Sequence, residues 1–200
     1  FEAEIDQPKA ADKKILIVGA AGGVGSILTQ LAVKLSNATV IGTASRTESQ
    51  QWVTKLGADY VIDHSKPLTE ELKRIGISEV SHVASLTQTQ QHYAAIVEAL
   101  APQGKLALID DPSEPLDIML MKRKSISLHW EFMFTRAIHK TADMDKQRQL
   151  LNRVAELIDS GDLISTFAGS YGRINAENLK KAHAQLESGK TVGKIVLAGF

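Results

Sequence analysis

Four glycines fall within seven residues at Gly19–Gly25 (GAAGGVG), where an apolar run, Lys14–Gly19 (KILIVG), gives way at once to a helical pattern. The spacing is Ala20-x-Gly22-x-x-Gly25. Gly22 lets backbone approach a ligand, Gly25 lets the helix pack closely on the strand, and Gly19 and Gly23 permit turn dihedrals closed to larger residues. The helix that follows presents unpaired N–H groups and the positive end of its dipole, which suits a pyrophosphate. Gly22, Gly23, Val24 and Gly25 are therefore candidate contacts to a dinucleotide. The alternative is a tight strand–helix turn with no ligand.

A second choice of chemistry lies about 20 residues further on, where a carboxylate would select a ribose 2′-hydroxyl and an arginine a 2′-phosphate. The chain reads Ala44-Ser45-Arg46, and the first acid is Glu48, inside the next helical pattern. Arg46 can make charge-assisted bonds to phosphate, and Ser45 can add a hydroxyl. This predicts NADP(H) rather than NAD(H), the alternative being a solvated arginine beside a helix start. Other chemistry is missing. There is no cysteine, and His64, His82, His92, His129, His139 and His183 are scattered without an HxxxH-type pair. Tyr60, Tyr93 and Tyr171 are followed four residues on by His64, Val97 and Asn175, so no Tyr-x-x-x-Lys pair exists. No catalytic residue and no metal ligand is assigned within this chain.

These residues need a scaffold, and the patterning supplies one. Strands are predicted at 14–19, 39–44, 60–63, 80–86, 105–109 and 125–132. Helices fall between them at 24–35, 47–57, 67–75 and 92–100, with a short one at 116–121. Thr47-Glu48-Ser49-Gln50 has capping-box form. Alternation of this kind implies an α/β fold, a Rossmann-type doubly wound six-stranded parallel sheet with right-handed crossovers. The remainder reads differently. A charged amphipathic helix over 143–160 precedes a strand at 166–171, a helix at 178–186 and a last strand at 194–198. These two late strands exceed what the six-stranded sheet needs and are expected to belong to a second sheet.

The bulk numbers fit a water-soluble globular chain. It has 200 residues, 44% hydrophobic and 23% charged, and 23 basic residues balance 23 acidic ones. A neutral chain carries no broad footprint for nucleic acid, and no apolar run approaches the roughly 20 residues that span a bilayer. The absence of cysteine fits a reducing, cytoplasmic setting. The chain opens at Phe1 rather than Met, and a piece of a longer protein is expected.

The segments Gly19–Gly25 (GAAGGVG), Leu56–Asp63 (LGADYVID) and Gly189–Leu197 (GKTVGKIVL), in this order, resemble the medium-chain dehydrogenase/reductase superfamily, in its quinone-oxidoreductase-like and zinc-type alcohol-dehydrogenase-like branch. The resemblance implies a two-domain protein in which a GroES-like catalytic domain precedes the nucleotide domain and the chain returns to it at its end. On that scheme residues 1–12 are a linker, 13–160 the NADP(H)-binding domain, and 161–200 the returning segment of a truncated catalytic domain. It implies that Arg46 and His64 flank the 2′-phosphate, His64 standing where a tyrosine is usual. Near phosphate its protonated form should be favoured, the alternative being an exposed loop histidine. It implies that Leu86, Thr87, Ile109 and Asp110 approach the nicotinamide half, that Phe132 and Met133 lie near the carboxamide, and that Gly193 and Lys194 reach back over the cofactor. For Lys194 a solvated lysine is the alternative. Zinc, if used, would sit in the missing upstream domain.

The expected function is the NADP(H)-binding part of an oxidoreductase that moves hydride between NADPH and a quinone, enone, aldehyde or alcohol, with little or no turnover by this chain alone. A non-catalytic NADPH sensor is the main alternative and a methyltransferase-like or ligand-gating domain a weaker one. Homodimerisation through Ser125–Phe132 is expected from the resemblance and the apolar edge.

Overall fold

The computed structural model describes residues 13–200; the linker expected at 1–12 lies outside them. Strand β1 (Lys14–Val18) leads through a glycine turn into α1 (Gly23–Leu35), followed by β2 (Thr39–Thr43), α2 (Thr47–Lys55), β3 (Tyr60–Ile62) and α3 (Leu68–Arg74). The second half of the sheet comprises β4 (Val80–Ser85), α4 (Thr89–Ala99), β5 (Leu100–Leu108), α5 (Met119–Lys122) and β6 (Ser127–Trp130). All six strands are parallel, in the order β3-β2-β1-β4-β5-β6. The order in which strands are added reverses between β1 and β4. The carboxyl ends of strands at such a point form a crevice where doubly wound proteins hold ligands.

Alternation along each buried strand sends side chains to opposite faces, so the sheet has two cores. Leu16, Val18 and Ile41 join Leu68, Leu72, Tyr93 and Ile96 on the α3–α4 face. Ile17 and Val40 join Ala20, Ala32 and Val53 on the α1–α2 face. On that face Gly42 leaves room for Val53, whose methyl would collide with any added Cβ.

Several boundaries differ from the sequence reading, each for a physical reason. Helix α4 starts at Thr89, not His92, because the Asp110 carboxylate accepts from the Thr89 N–H (2.9 Å) and hydroxyl and so supplies a cap from the loop after β5. At the other end Lys124 Nζ donates to the carbonyls of Val97, Glu98 and Leu100 at 3.1, 2.7 and 2.6 Å, as a cation at a helix C-terminus should. Strand β5 therefore begins at Leu100 instead of 105, with a register shift opposite Val80–His82. Strand β6 begins at Ser127 because Ser125 takes a left-handed φ of 49°. It ends at Trp130, and Phe132–Phe134 turn into an unforeseen helix, α6 (Thr135–His139). The capping box is not realised: Arg46 caps α2 without a side-chain bond, and Gln50 Nε2 instead donates to Ala44 O (3.0 Å).

The rest of the chain forms α7 (Lys146–Asp159), β7 (Phe167–Ser170), α8 (Ala176–Glu187) and β8 (Lys194–Val196). Strands β7 and β8 pair with each other, in parallel, as a separate two-stranded sheet. Helix α8 starts on Asn175, whose Oδ1 accepts from Asn178 N–H (2.8 Å).

Candidate cofactor site

The turn after β1 is shaped by two glycines. Gly19 has φ +85°, a left-handed conformation that side chains resist. At Gly25 an added Cβ would run into the Gly19 carbonyl and the Ala20 backbone, so the absence of a side chain lets α1 seat directly on the turn. Gly22 caps α1 with φ −71° and ψ 177° and offers no side chain to its first amides. The first N–H to find an acceptor one turn back is that of Ser26, on Gly22 O (2.8 Å). The amides of Gly23, Val24 and Gly25 thus precede any intrahelical acceptor. An added Cβ on Gly22 would have Gly19 O as its only close neighbour, at 3.5 Å, so the space in front of it is open. No acidic residue occupies the first turn to compete for those donors.

Gly23 serves otherwise than the sequence reading supposed. It is not among the glycines at positive φ; what it provides is room. The end of the Lys194 side chain lies over it, with Nζ 2.6 Å from where a Cβ would stand. Lys194 arrives there because Gly193 N–H donates to Ala21 O (2.8 Å) and Lys194 N–H to Thr166 O (2.8 Å). The indole of Trp52, whose Nε1 donates to Ser26 Oγ (2.8 Å), packs under Gly193 at 3.3 Å from an added Cβ. Strand β8 therefore crosses above the glycine turn.

Around this turn lies a cavity of about 540 Å³, within the range of roughly 300–1,000 Å³ usual for small-molecule sites. It brings together Gly22, Gly23, Val24 and Gly25 with Ser45, Arg46, His64, Leu86, Thr87 and Lys194. Ile109, Asp110, Phe132 and Met133 do not line it: the Asp110 carboxylate is turned to Thr89, and Phe132 and Met133 are exposed. The sequence reading also missed part of the wall. Thr43 closes the end of β2, and Leu186, Gly189 and Thr191 form a roof from the far end of the chain. Thr43 was recoverable as the last residue of its strand; the roof had only the Gly189–Leu197 segment as a signal. Gln88, also in the wall, holds a left-handed φ of 52° as the cap of α4, a strained conformation of the kind that clusters at binding sites.

At the Arg46 end, Nη2 donates to Lys190 O (2.7 Å), while Glu48 stands 3.9 Å from Nη1 as an exposed and loosely held partner. Next to it, His64 Nδ1 lies 3.2 Å from Thr43 Oγ1, which accepts from Gly19 N–H (3.1 Å). Burial lowers the His64 pKa from its ordinary value near 6.5, against the opposing pull of Asp63. Among the described residues no group of three or more His, Cys, Asp or Glu could hold a metal ion, and no helix is long and apolar enough to cross a membrane.

A dinucleotide fits this arrangement. Free amide donors, an open glycine face and a lysine meet where a pyrophosphate would lie, and an arginine oriented by a main-chain carbonyl stands at the end of β2. Comparison with known proteins agrees. Residues 56–197 match the family model described as zinc-binding dehydrogenase. A zinc-type alcohol dehydrogenase-like protein of Staphylococcus aureus is 39% identical over 185 residues, covering 92% of this chain and 55% of the relative. A Rhizobium etli protein assigned as a zinc-dependent alcohol dehydrogenase superposes with a TM-score of 0.91 at 50% identity, covering 98% of this chain and 58% of its own. A mycobacterial protein complexed with NADPH superposes at 0.75 with 29% identity, over 92% of this chain and 56% of its own. The chain thus spans about half the length of the relatives it matches.

Proposed function

Because the chain belongs to the zinc-binding dehydrogenase family, we propose that it is the NADP(H)-holding part of an oxidoreductase acting on a quinone, enone, aldehyde or alcohol. The observation that carries this is the pairing of two features at the carboxyl edge of the sheet: uncapped first-turn amides beside the open Gly22 face, and Arg46 with no carboxylate at the end of β2. In this reading Gly23, Val24 and Gly25 donate their N–H groups to the pyrophosphate and Lys194 covers it with a charge. Arg46 and Ser45 hold the 2′-phosphate. Leu86 and Thr87 flank the ribose and nicotinamide side, with Ile109, Asp110, Phe132 and Met133 further along the same edge. The bound nicotinamide would supply or accept the hydride. Residues 13–160 then form the cofactor domain and 161–200 return toward a GroES-like catalytic domain in a longer protein, where zinc, if present, and the substrate pocket would reside. Pairing of two copies through the β6 edge, and a cytoplasmic location for this cysteine-free chain, belong to the same proposal.

The test is a pair of titrations. NADPH is expected to bind more tightly than NADH, and Arg46→Ala to weaken NADPH by about 10- to 150-fold, equivalent to roughly 1.5–3 kcal/mol for a charge-assisted bond, while NADH changes little. Tighter binding of NADH by the unmodified chain would refute the choice of cofactor.

A further inference from the structure

The wall beside Arg46 contains two imidazoles, and only one of them faces the cavity. His64 follows β3 and lines it. Behind it His92, on α4, meets the His64 ring edge-on, with centroids 5.8 Å apart and planes at 72°. His92 is only 7% exposed. Two imidazoles this close and largely shielded from water do not both ionise, because each cation raises the cost of the other. His64, half-buried and lining the cavity, is the member of the pair that can take a proton from solvent. Thr43 makes either state of that ring acceptable: its hydroxyl can donate to a neutral Nδ1, or rotate and accept from a protonated one.

We infer that His64, backed by His92, is the proton-accepting part of the 2′-phosphate subsite, so that binding a 2′-phosphorylated dinucleotide draws one proton onto the protein and binding the unphosphorylated one does not. The inference rests on the NADP(H) reading above. Its electrostatic basis is the set of groups around the ring. Asp63 is the adjacent anion, but its Oδ1 already accepts from Ser65 N–H (2.9 Å) and Ser65 Oγ–H (2.7 Å), and Lys66 stands 4.0 Å from its other oxygen. On α3, Glu71 is committed to Arg74 at 2.9 Å and to Asp63 N–H at 3.0 Å. From the β2–α2 connection Arg46 adds a positive charge to the wall, and from α4 comes His92. In the free protein burial lowers the pKa of both rings, and at His92 the neighbouring His64 lowers it further. Glu48, at the Arg46 end, is exposed and held only loosely; a phosphate dianion in contact with the ring reverses the balance there. A phosphate monoester loses its second proton near pH 6, so above about pH 7 the ligand is fully charged and a proton taken up there goes to the protein.

The experiment measures protons directly. NADPH and NADH are titrated calorimetrically into the intact chain at pH 7–8, in buffers of different ionisation enthalpy, with affinities followed from pH 6 to 8. NADPH binding is expected to take up a net fraction of a proton, and its affinity to fall as pH rises, by up to about tenfold per pH unit. NADH is expected to take up none and to stay level. His64→Gln should abolish the uptake while leaving NADPH preferred through Arg46. His92→Gln should retain the uptake, because the proton goes to His64. Equal proton counts for the two dinucleotides, or uptake that survives in His64→Gln, would overturn the inference. Loss of the uptake in His92→Gln with NADPH still preferred would overturn the choice of His64 as the acceptor. The affinity ratio reports separately on the cofactor reading: a preference for NADPH without proton uptake defeats only this inference, whereas a preference for NADH defeats both.

Discussion

The six-stranded half and the final third of the chain are built from similar residues and spend them differently. Between β1 and β6, Leu16, Ile17, Ile41, Leu72, Ile96 and Leu106 are sealed from solvent on the two faces of the sheet. Beyond β6 the buried apolar side chains among the described residues are Leu157, Leu163 and Ala182, while Phe134, Ile138, Leu151 and Phe167 lie open. The first region closes a core on itself. The second has regular helices and a pair of strands, yet borrows its order from contacts with the first: Gln30 Nε2 donates to Ile164 O (3.1 Å), Ile164 N–H returns a bond to Gln30 Oε1 (2.8 Å), and Arg46 holds Lys190 O. Secondary structure can thus be complete where tertiary burial is not, since hydrogen bonds satisfy the backbone while only buried apolar area supplies most of the stabilisation.

That contrast can be attacked from its strongest point downward. Gly25→Val should cost about 3 kcal/mol or more, because the added atoms meet rigid backbone. Gly23→Ala meets only the flexible end of Lys194 and should cost far less; chemical denaturation read as a shift in midpoint at constant slope would separate them. Leu16→Ala, at full burial, should lose about 2–5 kcal/mol, whereas Leu151→Ala, 61% exposed, should change stability by less than about 0.5 kcal/mol. Equal losses at the two leucines would erase the distinction between the regions. Gln30→Leu removes both amide bonds to Ile164 and should cost about 1–2 kcal/mol, with hydrogen exchange quickening around Ile164 while β1 and β4 keep their protection.

The same contrast governs what the sequence disclosed. A strand buried on both faces such as β1 reads as a nearly continuous apolar run (Ile15–Val18), and the glycine turn and Arg46 announce themselves because local backbone and charge requirements are written locally. Boundaries set by distant side chains do not. Nothing near Thr89 predicts that Asp110 will cap its helix, and nothing near Leu100 predicts that Lys124 will gather the last carbonyls of α4. Behind the cavity wall, His92 sits on the buried side of a helix, where its sequence position shows no link to the site. Leu186, Gly189 and Thr191 belong to a roof that exists only because Gly193 bonds to Ala21.

That last bond has a consequence for the order of events during synthesis. The polypeptide leaves the ribosome amino end first, so β1 and the glycine turn are made well before Gly193 and Lys194. The hollow is completed only when that later segment arrives, and a nascent chain would carry half a binding cleft until it has emerged.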